Sequence, residues 1–233
     1  MRDGLVGSEM CIRDRYLVPT PIGNLKDITY RGVNILNNVD IILAEDTRKT
    51  KKLLSHYDIK TKMYSYHTYN EHKKLQTWIN KLLSGIQIAL VSDAGTPSVS
   101  DPGFLLVREC MKHNIDTECL PGPTAFLPAL VSSGFSCDRF IFEGFLPNKK
   151  GRTKRLKMLL DYDMTFILYE SPHRLLKTLK QLSALLGSDQ LISVSREISK
   201  IHEENQRGKI IEVINHYELK KPKGEFVIIV SKK

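Results

Sequence analysis

Short apolar runs alternate with helix-like segments in the first half of this chain, and that alternation limits the possible folds more than any other feature. Strands are predicted at residues 41–44, 86–91 and 115–120, and the first of these is apolar at every position. A strand without polar alternation is typical of a parallel sheet that is covered on both faces. Helices are predicted at residues 27–37, 75–83 and 104–112. The pattern indicates βαβ units and an α/β fold.

The second half continues the pattern after a change of composition near residue 134. Strands are predicted at residues 139–144, 165–169, 191–196 and 225–230, and helices at 149–160 and 172–186, whereas the helix predicted at 124–132 precedes the change of composition. Residues 209–217 fit either kind of element. A boundary at residues 133–138 divides the chain into an N-terminal α/β lobe, residues 16–135, and a C-terminal α/β lobe, residues 136–233.

The first fifteen residues, MRDGLVGSEMCIRDR, have neither helical nor strand periodicity. They lack the apolar core and small-residue cleavage site of a signal peptide. They resemble translated sequencing-adapter DNA, so residues 1–15 are interpreted as a non-native leader; a genuine disordered extension is the alternative. Their charges cancel, so the basic balance belongs to the rest of the chain.

Composition narrows the partners and the compartment. The formal net charge of +9 favours polyanionic partners such as nucleic acid. None of the four cysteines forms a C-x-x-C pair, which argues against a zinc cage and suits free thiols in a reducing cytosol. No stretch approaches the roughly 18 consecutive apolar residues of a membrane span. We therefore expect a cytoplasmic protein without a bound metal.

The segment VSDAGTPSVSDPG, residues 91–103, is the most informative motif. It follows a buried strand and precedes a helix, and ligands bind open α/β sheets beyond the carboxyl ends of their strands. Gly95 permits close approach to the backbone, Pro97 stiffens the loop, and Asp93 offers a hydrogen-bond acceptor to ribose hydroxyls or an ammonium group. Most such connections have two to six residues, so a loop this long predicts a binding site. The chain has neither G-x-x-x-x-G-K-[ST] nor G-x-G-x-x-G, which disfavours nucleotide hydrolases and dinucleotide dehydrogenases.

Two further turns, at residues 19–24 and 121–124, each follow a predicted strand. Right-handed crossovers between parallel strands are expected to bring these turns to the same rim of the sheet as residues 91–103. The sequence Glu45-Asp46-Thr47-Arg48 also follows a strand there. These side chains suit a general base and a substrate clamp. A helix N-terminus with Asp46 as its cap explains them equally well, and the sequence leaves both interpretations open.

Residues His67, Asn70, Glu71 and His72 invite a metal-site interpretation. The two histidines are five positions apart, which does not place them on one helix face, and the spacing is not H-E-x-x-H. A polar loop that lines the ligand cleft is the better interpretation.

A basic run follows in the second half. Its cations are Lys149, Lys150, Arg152, Lys154, Arg155 and Lys157, and Arg174 follows a later strand. Clustered cations bind a phosphate backbone because they release its counterions. A solvated helix face is the alternative.

Seven segments, in order, resemble one family. They are VPTPIGNLKDITYR, AEDTRKT, VSDAGTPSVSDPG, PGPTAFLPAL, FEGFLPNK, YESPHR and KGEFVIIV, and together they span residues 16–230. They are similar to the small-subunit ribosomal RNA 2′-O-methyltransferases of the tetrapyrrole methylase superfamily. The resemblance implies a two-lobed class III methyltransferase fold, with a parallel-sheet N-terminal lobe and a mixed-sheet C-terminal lobe.

The resemblance also implies a function and a site. It implies a homodimer that transfers a methyl group from S-adenosylmethionine to a cytidine 2′-hydroxyl in the decoding region of small-subunit ribosomal RNA, free or in the assembling subunit. The implied donor-binding residues are Gly95, Thr96, Pro97, Val99, Ser100, Thr124, Ala125 and Tyr169, to which the turn residue Pro21 and Asp93 are added. Asp46 is the first candidate to orient or deprotonate the hydroxyl, Glu45 the second carboxylate, and Arg48 the phosphate clamp. Lys149, Lys150, Arg152, Lys154, Arg155 and Arg174 are the candidate RNA-binding residues.

Two other functions remain open. A tetrapyrrole methylase would share the fold, but such enzymes resemble G-x-G-P-G at the first turn and G-G-D-P at the donor loop, where this chain has PTPIGN and DAGTP. A non-catalytic RNA-binding module would not need a stiff ligand loop at a sheet rim.

Overall fold

A computed structural model describes residues 15–231, which form two compact units. Within the described residues, the first unit contains residues 15–21 together with Leu25–Pro123, and the second contains Ile22–Asn24 together with residues 124–231. No helix within the described residues is long and apolar enough to cross a membrane.

The first unit is built around a five-stranded sheet of order β3-β2-β4-β1-β5, in which every pair is parallel. Its strands are β1 (Arg15–Leu17), β2 (Ile41–Ala44), β3 (Lys62–Ser65), β4 (Ile88–Val91) and β5 (Thr117–Cys119). Its helices are α1 (Tyr30–Asn38), α2 (Thr47–His56), α3 (Glu71–Leu83) and α4 (Phe104–Lys112). The predicted parallel α/β arrangement is confirmed.

Successive residues of a strand point to opposite faces, so this sheet has two cores. Ile42 and Ala44 pack with the apolar residues of α1 and α2 on one face. Ile41 and Leu43 pack with those of α3 and α4 on the other. Both faces of β2 are therefore buried, which explains its uninterrupted apolar sequence.

The second unit has a mixed sheet of order β6-β7-β10-β8-β9, in which only the β6–β7 pair is parallel. Its strands are β6 (Phe140–Phe145), β7 (Thr165–Glu170), β8 (Leu191–Arg196), β9 (Glu204–Lys209) and β10 (Phe226–Val230). Its helices are α5 (Phe126–Ser133), α6 (Arg152–Leu160), α7 (Leu175–Leu186) and α8 (Ile210–Leu219).

The boundary between the units lies at Pro123/Thr124, about twelve residues before the one predicted from composition. The reason is helix α5. Its residues Ala129 and Leu130 pack against Ile167 and Val227 of the second sheet. The prediction that the N-terminal lobe extends to residue 135 was therefore wrong.

Arg15, assigned to the leader in the sequence analysis, is the first residue of β1 and is paired with Ile88 and Thr117. Its side chain is fully buried, and one guanidinium nitrogen donates to Cys110 Sγ at 3.4 Å. Its Nε and Nη2 atoms find no hydrogen-bond partner within residues 15–231. Burial lowers the pKa of this guanidinium, because water no longer solvates the charged form. A charged group with unsatisfied donors in an apolar core destabilises the fold.

We predict that Arg15→Leu raises the free energy of unfolding by about 1–3 kcal/mol, because it removes unsatisfied buried donors. Urea denaturation measures the change. Lys51→Leu on the exposed side of α2 is the control and should change stability by less than about 0.5 kcal/mol. A less stable Arg15→Leu protein would show that this guanidinium supports the fold.

Candidate functional site

Two hydrogen bonds join the first turn to the loop that follows β4. The Thr20 amide donates to the Gly95 carbonyl and the Gly95 amide donates to the Thr20 carbonyl, each at 2.9 Å. Thr20 Oγ1 also donates to the Ser92 carbonyl at 3.1 Å, and Ser92 Oγ donates to the Gly95 carbonyl at 3.2 Å. The beginning of the loop is therefore fixed by the protein itself.

The turn after β5 is held against the same two segments. Thr96 Oγ1 donates to the Pro123 carbonyl at 3.1 Å. Gly122 lies so close to Pro19 that a Cβ atom on the glycine would be 2.7 Å from the proline Cβ. The prediction that three turns meet at the carboxyl rim of the first sheet is confirmed for residues 19–21, 92–103 and 121–123.

The loop after β4 has an unusual backbone. Gly95 has φ +83°, and Ser98 and Ser100 have φ +70° and +65°, a region that non-glycine residues seldom occupy. Gly103 has φ +130° and no room for a side chain, since a Cβ would lie 2.5 Å from Ser98 Oγ. The Ser98 hydroxyl is buried and has no partner among residues 15–231. Strain of this kind is concentrated at binding sites.

Asp93 connects the ends of β2 and β4. Its Oδ1 accepts a hydrogen bond from the Asp46 amide at 2.9 Å, and its Oδ2 pairs with Lys49 Nζ at 2.6 Å. In return, the Asp93 amide donates to Glu45 Oε2 at 3.3 Å. The carboxylates predicted at this rim are thus brought together.

The pKa values of the two carboxylates after β2 are shifted in opposite directions. Asp46 caps α2 by accepting from the Arg48 amide at 2.9 Å, and Arg48 also binds both carboxylate oxygens, at 3.0 and 2.7 Å. These Arg48 hydrogen bonds hold the pKa of Asp46 far below its usual range. Burial instead raises the pKa of Glu45, and the neighbouring negative charge of Asp93 adds to that rise. The capping interpretation of Asp46 is therefore confirmed, and Glu45 has the more basic carboxylate.

The remaining donor-site residues predicted from the resemblance lie in both units. Pro21, Pro97, Val99 and Ser100 belong to the first unit, and Thr124 and Ala125 begin the second. Tyr169, in β7, is half-buried and packs its ring against Phe142 at 5.1 Å and Phe145 at 5.6 Å. Their roles stay predictions.

Two of the predicted RNA-binding arginines form ion pairs with the same buried carboxylate, that of Glu170. Arg152 is only 4% exposed and donates to Glu170 Oε2 at 3.3 Å and to Thr178 Oγ1 at 2.5 Å. Arg174 pairs with Glu170 Oε1 at 2.7 Å and donates to the Leu146 carbonyl at 3.2 Å. The assignment of Arg152 to a phosphate contact is therefore wrong, because its guanidinium is inside the unit. Glu170, at the end of a buried strand and four residues before Arg174, was the sequence signal for this ion cluster.

The rest of the basic run stays at the surface. Arg155 binds the Glu143 carboxylate with two nitrogens, at 2.5 and 2.7 Å. Lys149, Lys150 and Lys154 are exposed. These lysines remain candidates for phosphate contacts, whereas Arg155 would have to give up an ion pair to make one.

We predict that Arg152→Met lowers the free energy of unfolding by about 3 kcal/mol, because Glu170 would lose part of its buried compensation. Guanidinium denaturation provides the measurement, and Lys154→Met on the exposed side of the same helix is the matched control, with no expected change. Equal stability of both variants and wild type would contradict the structural role of Arg152.

Comparison with known proteins gives a consistent result. The family described as "Tetrapyrrole (Corrin/Porphyrin) Methylases" matches residues 16–214. A Synechocystis protein named "Ribosomal RNA small subunit methyltransferase I" is 49% identical over 93% of this chain and 78% of its own length. A Thermotoga maritima protein of the same name is 45% identical over 93% of this chain and 97% of its own. The crystal structure of a diphthine synthase matches 94% of this chain and 90% of its own, with a TM-score of 0.74 and 12% identity, which shows a shared fold.

Proposed function

Because this chain belongs to the tetrapyrrole (corrin/porphyrin) methylase family, we propose that it transfers a methyl group from S-adenosylmethionine to the 2′-oxygen of a cytidine in small-subunit ribosomal RNA. The relatives at 45–49% identity, named as methyltransferases of small-subunit ribosomal RNA, are the observation that supports an RNA acceptor. The net charge of +9 agrees with a polyanionic substrate. The 2′-oxygen and the cytidine rest on the resemblance of the sequence motifs.

The loop after β4 fits the methyl donor. Its beginning is held by Thr20 without help from a ligand, as is usual for small-molecule sites, which are largely preformed. Gly95 has a positive φ, which glycine adopts without strain, and the buried Ser98 hydroxyl has no hydrogen-bond partner among residues 15–231. We propose that Gly95, Thr96, Pro97, Val99 and Ser100 hold S-adenosylmethionine, which supplies a methyl group on a sulfonium and leaves as a neutral thioether.

We propose different roles in the reaction for the charged residues at the rim. A ribose hydroxyl is a weak nucleophile, so most of the rate comes from holding it in line with the methyl carbon. As the new C–O bond forms, the hydroxyl proton must leave. Glu45 is the better acceptor for that proton, because its pKa is raised whereas that of Asp46 is lowered by Arg48. We therefore propose Glu45 as the proton acceptor and Asp46 as the group that orients Arg48.

We predict that Glu45→Gln slows single-turnover methylation of small-subunit RNA about 100-fold or more, because a positioned base contributes that much. The amide still accepts the Asp93 hydrogen bond, so donor affinity should not change. Asp46→Asn, the matched control, should cost less rate. A Glu45→Gln enzyme with the wild-type rate, or a larger loss in Asp46→Asn, would reverse the assignment.

The acceptor itself is tested by incubating wild-type protein and labelled S-adenosylmethionine with unmethylated small-subunit RNA, with assembled small subunits, and with a uroporphyrinogen. Nuclease digestion and mass mapping should place the label on a cytidine ribose in the decoding region. Label on a base atom would contradict the 2′-oxygen, label on the macrocycle would favour a tetrapyrrole methylase, and RNA binding without transfer would favour a non-catalytic module. The expected homodimer and cytoplasmic location stay predictions, testable by sedimentation and by fractionation.

A further inference from the structure

The turn that follows β3 lies at the same rim and takes no part in the donor loop. The Tyr66 amide donates to the Ala44 carbonyl at 2.8 Å, which continues the β2–β3 pairing and places the turn beside Glu45. Tyr66 itself is fully buried. His67 and the residues after it therefore leave the sheet from a fixed point.

The turn is held by a network of its own. The His67 amide donates to Asn70 Oδ1 at 3.0 Å, and the amides of Asn70 and Glu71 both donate to the His67 carbonyl at 2.9 Å. Lys74 Nζ donates to the Ser65 carbonyl at 3.1 Å. These hydrogen bonds hold the backbone of the turn from His67 to Glu71.

The His67 ring is fixed as well. Because Asn70 Oδ1 accepts from a backbone amide, the Asn70 nitrogen must face His67 Nε2, 3.0 Å away. Nδ1 of the same ring is buried and has no hydrogen-bond partner among residues 15–231. The Tyr69 ring stands edge-to-face with this imidazole, with the centroids 6.0 Å apart.

Tyr69 projects from this rigid turn with 93% of its surface exposed. A single exposed aromatic residue is ordinary. Here, however, the helices that follow the neighbouring strands β2 and β3 carry exposed cations on their first turns, at the same rim of the sheet. The Arg48 side chain on α2 is 89% exposed, and Lys73 on α3 is exposed.

We propose that Tyr69, Arg48 and Lys73 form a docking surface for an unstacked, single-stranded segment of RNA. A base stacks on the Tyr69 ring, and the phosphates on either side lie against Lys73 and against Nη1 of Arg48, whose Nε and Nη2 bind Asp46. Aromatic rings that carry unstacked bases, combined with cations that follow the backbone, are the usual means of binding single-stranded nucleic acid. A protein partner fits less well, because the neighbours of Tyr69 in sequence, Thr68 and Asn70, are polar.

The inference rests on the proposed function and adds a location to it. A duplex hides its base faces, so only an opened segment can use this surface. Docking beside Glu45 would bring the ribose of a neighbouring nucleotide to the rim where its hydroxyl is to react. The RNA contact is thereby assigned to the first unit, separate from the exposed lysines that precede and follow Gly151 in the second.

The test measures binding of a fluorescein-labelled oligocytidylate of about ten nucleotides by anisotropy, over a range of salt concentrations. Tyr69→Ala should weaken binding about 5- to 100-fold, and Tyr69→Phe should stay within about twofold of wild type, because the ring remains. The salt slope should not change in Tyr69→Ala, since stacking releases no counterions. Arg48→Ala should lower that slope by about 0.7, as expected for one phosphate contact on a single strand.

Leu83→Ala, an exposed apolar residue at the far end of α3, is the control and should bind like wild type. Wild-type affinity of Tyr69→Ala for the oligocytidylate would overturn the proposal. If the same variant also bound assembled small subunits poorly, Tyr69 would instead contact a ribosomal protein. Loss of S-adenosylmethionine affinity in Tyr69→Ala, measured by calorimetry, would also overturn it, because the turn would then support the donor loop. A wild-type protein that binds no RNA would contradict the proposed function itself.

Discussion

The pair of hydrogen bonds between Thr20 and Gly95 is the interaction on which the candidate site depends. Strands β1 and β4 are neighbours in the parallel sheet. Beyond their carboxyl ends, the segments that follow them pair once more through Thr20 and Gly95, in antiparallel orientation. Thr20 is only 3% exposed, so these bonds are shielded from water. They hold Gly95 at its positive φ. Ser98 and Ser100, which follow it in the loop, also have positive φ values. A loop fixed in this way can bind a small ligand without losing much conformational freedom.

The charges at the rim have different physical roles, although their sequence is a simple run of acids and bases. Asp46 caps a helix and pairs with Arg48, and Asp93 connects two strand ends. The carboxylate of Glu45 is partly desolvated. In the second unit, Glu170 is compensated by two arginines. A net positive charge therefore does not translate directly into RNA contacts, because several cations are used to neutralise carboxylates within the fold.

Much of the fold could be predicted from the sequence, because burial on two faces leaves a clear periodic pattern. Helix α4 and strand β8 have the predicted bounds. Strands β3 and β9 were not predicted: they lie at sheet edges, have polar sequences, and form through backbone pairing that composition does not reveal. Assigning α5 to the second unit required knowledge of which sheet it contacts. For the candidate site, the positions of the loops could be predicted from the alternation of strands and helices. The choice between a helix cap and a base at Asp46 could not, because it depends on where the Arg48 side chain lies.

We propose that the Thr20–Gly95 hydrogen bonds preform a loop that binds the methyl donor, and a matched pair of glycine variants tests this proposal. Gly95 and Gly85 have nearly the same φ, +83° and +84°, but a side chain on Gly85 would meet nothing within 4 Å. Alanine at either position should cost about 1–2 kcal/mol of stability from the left-handed backbone alone. Calorimetric titration with S-adenosylmethionine should then show at least about tenfold weaker binding for Gly95→Ala, a difference of about 1.4 kcal/mol, and wild-type binding for Gly85→Ala. Equal donor affinity in the two variants would show that the loop does not bind the donor through this connection.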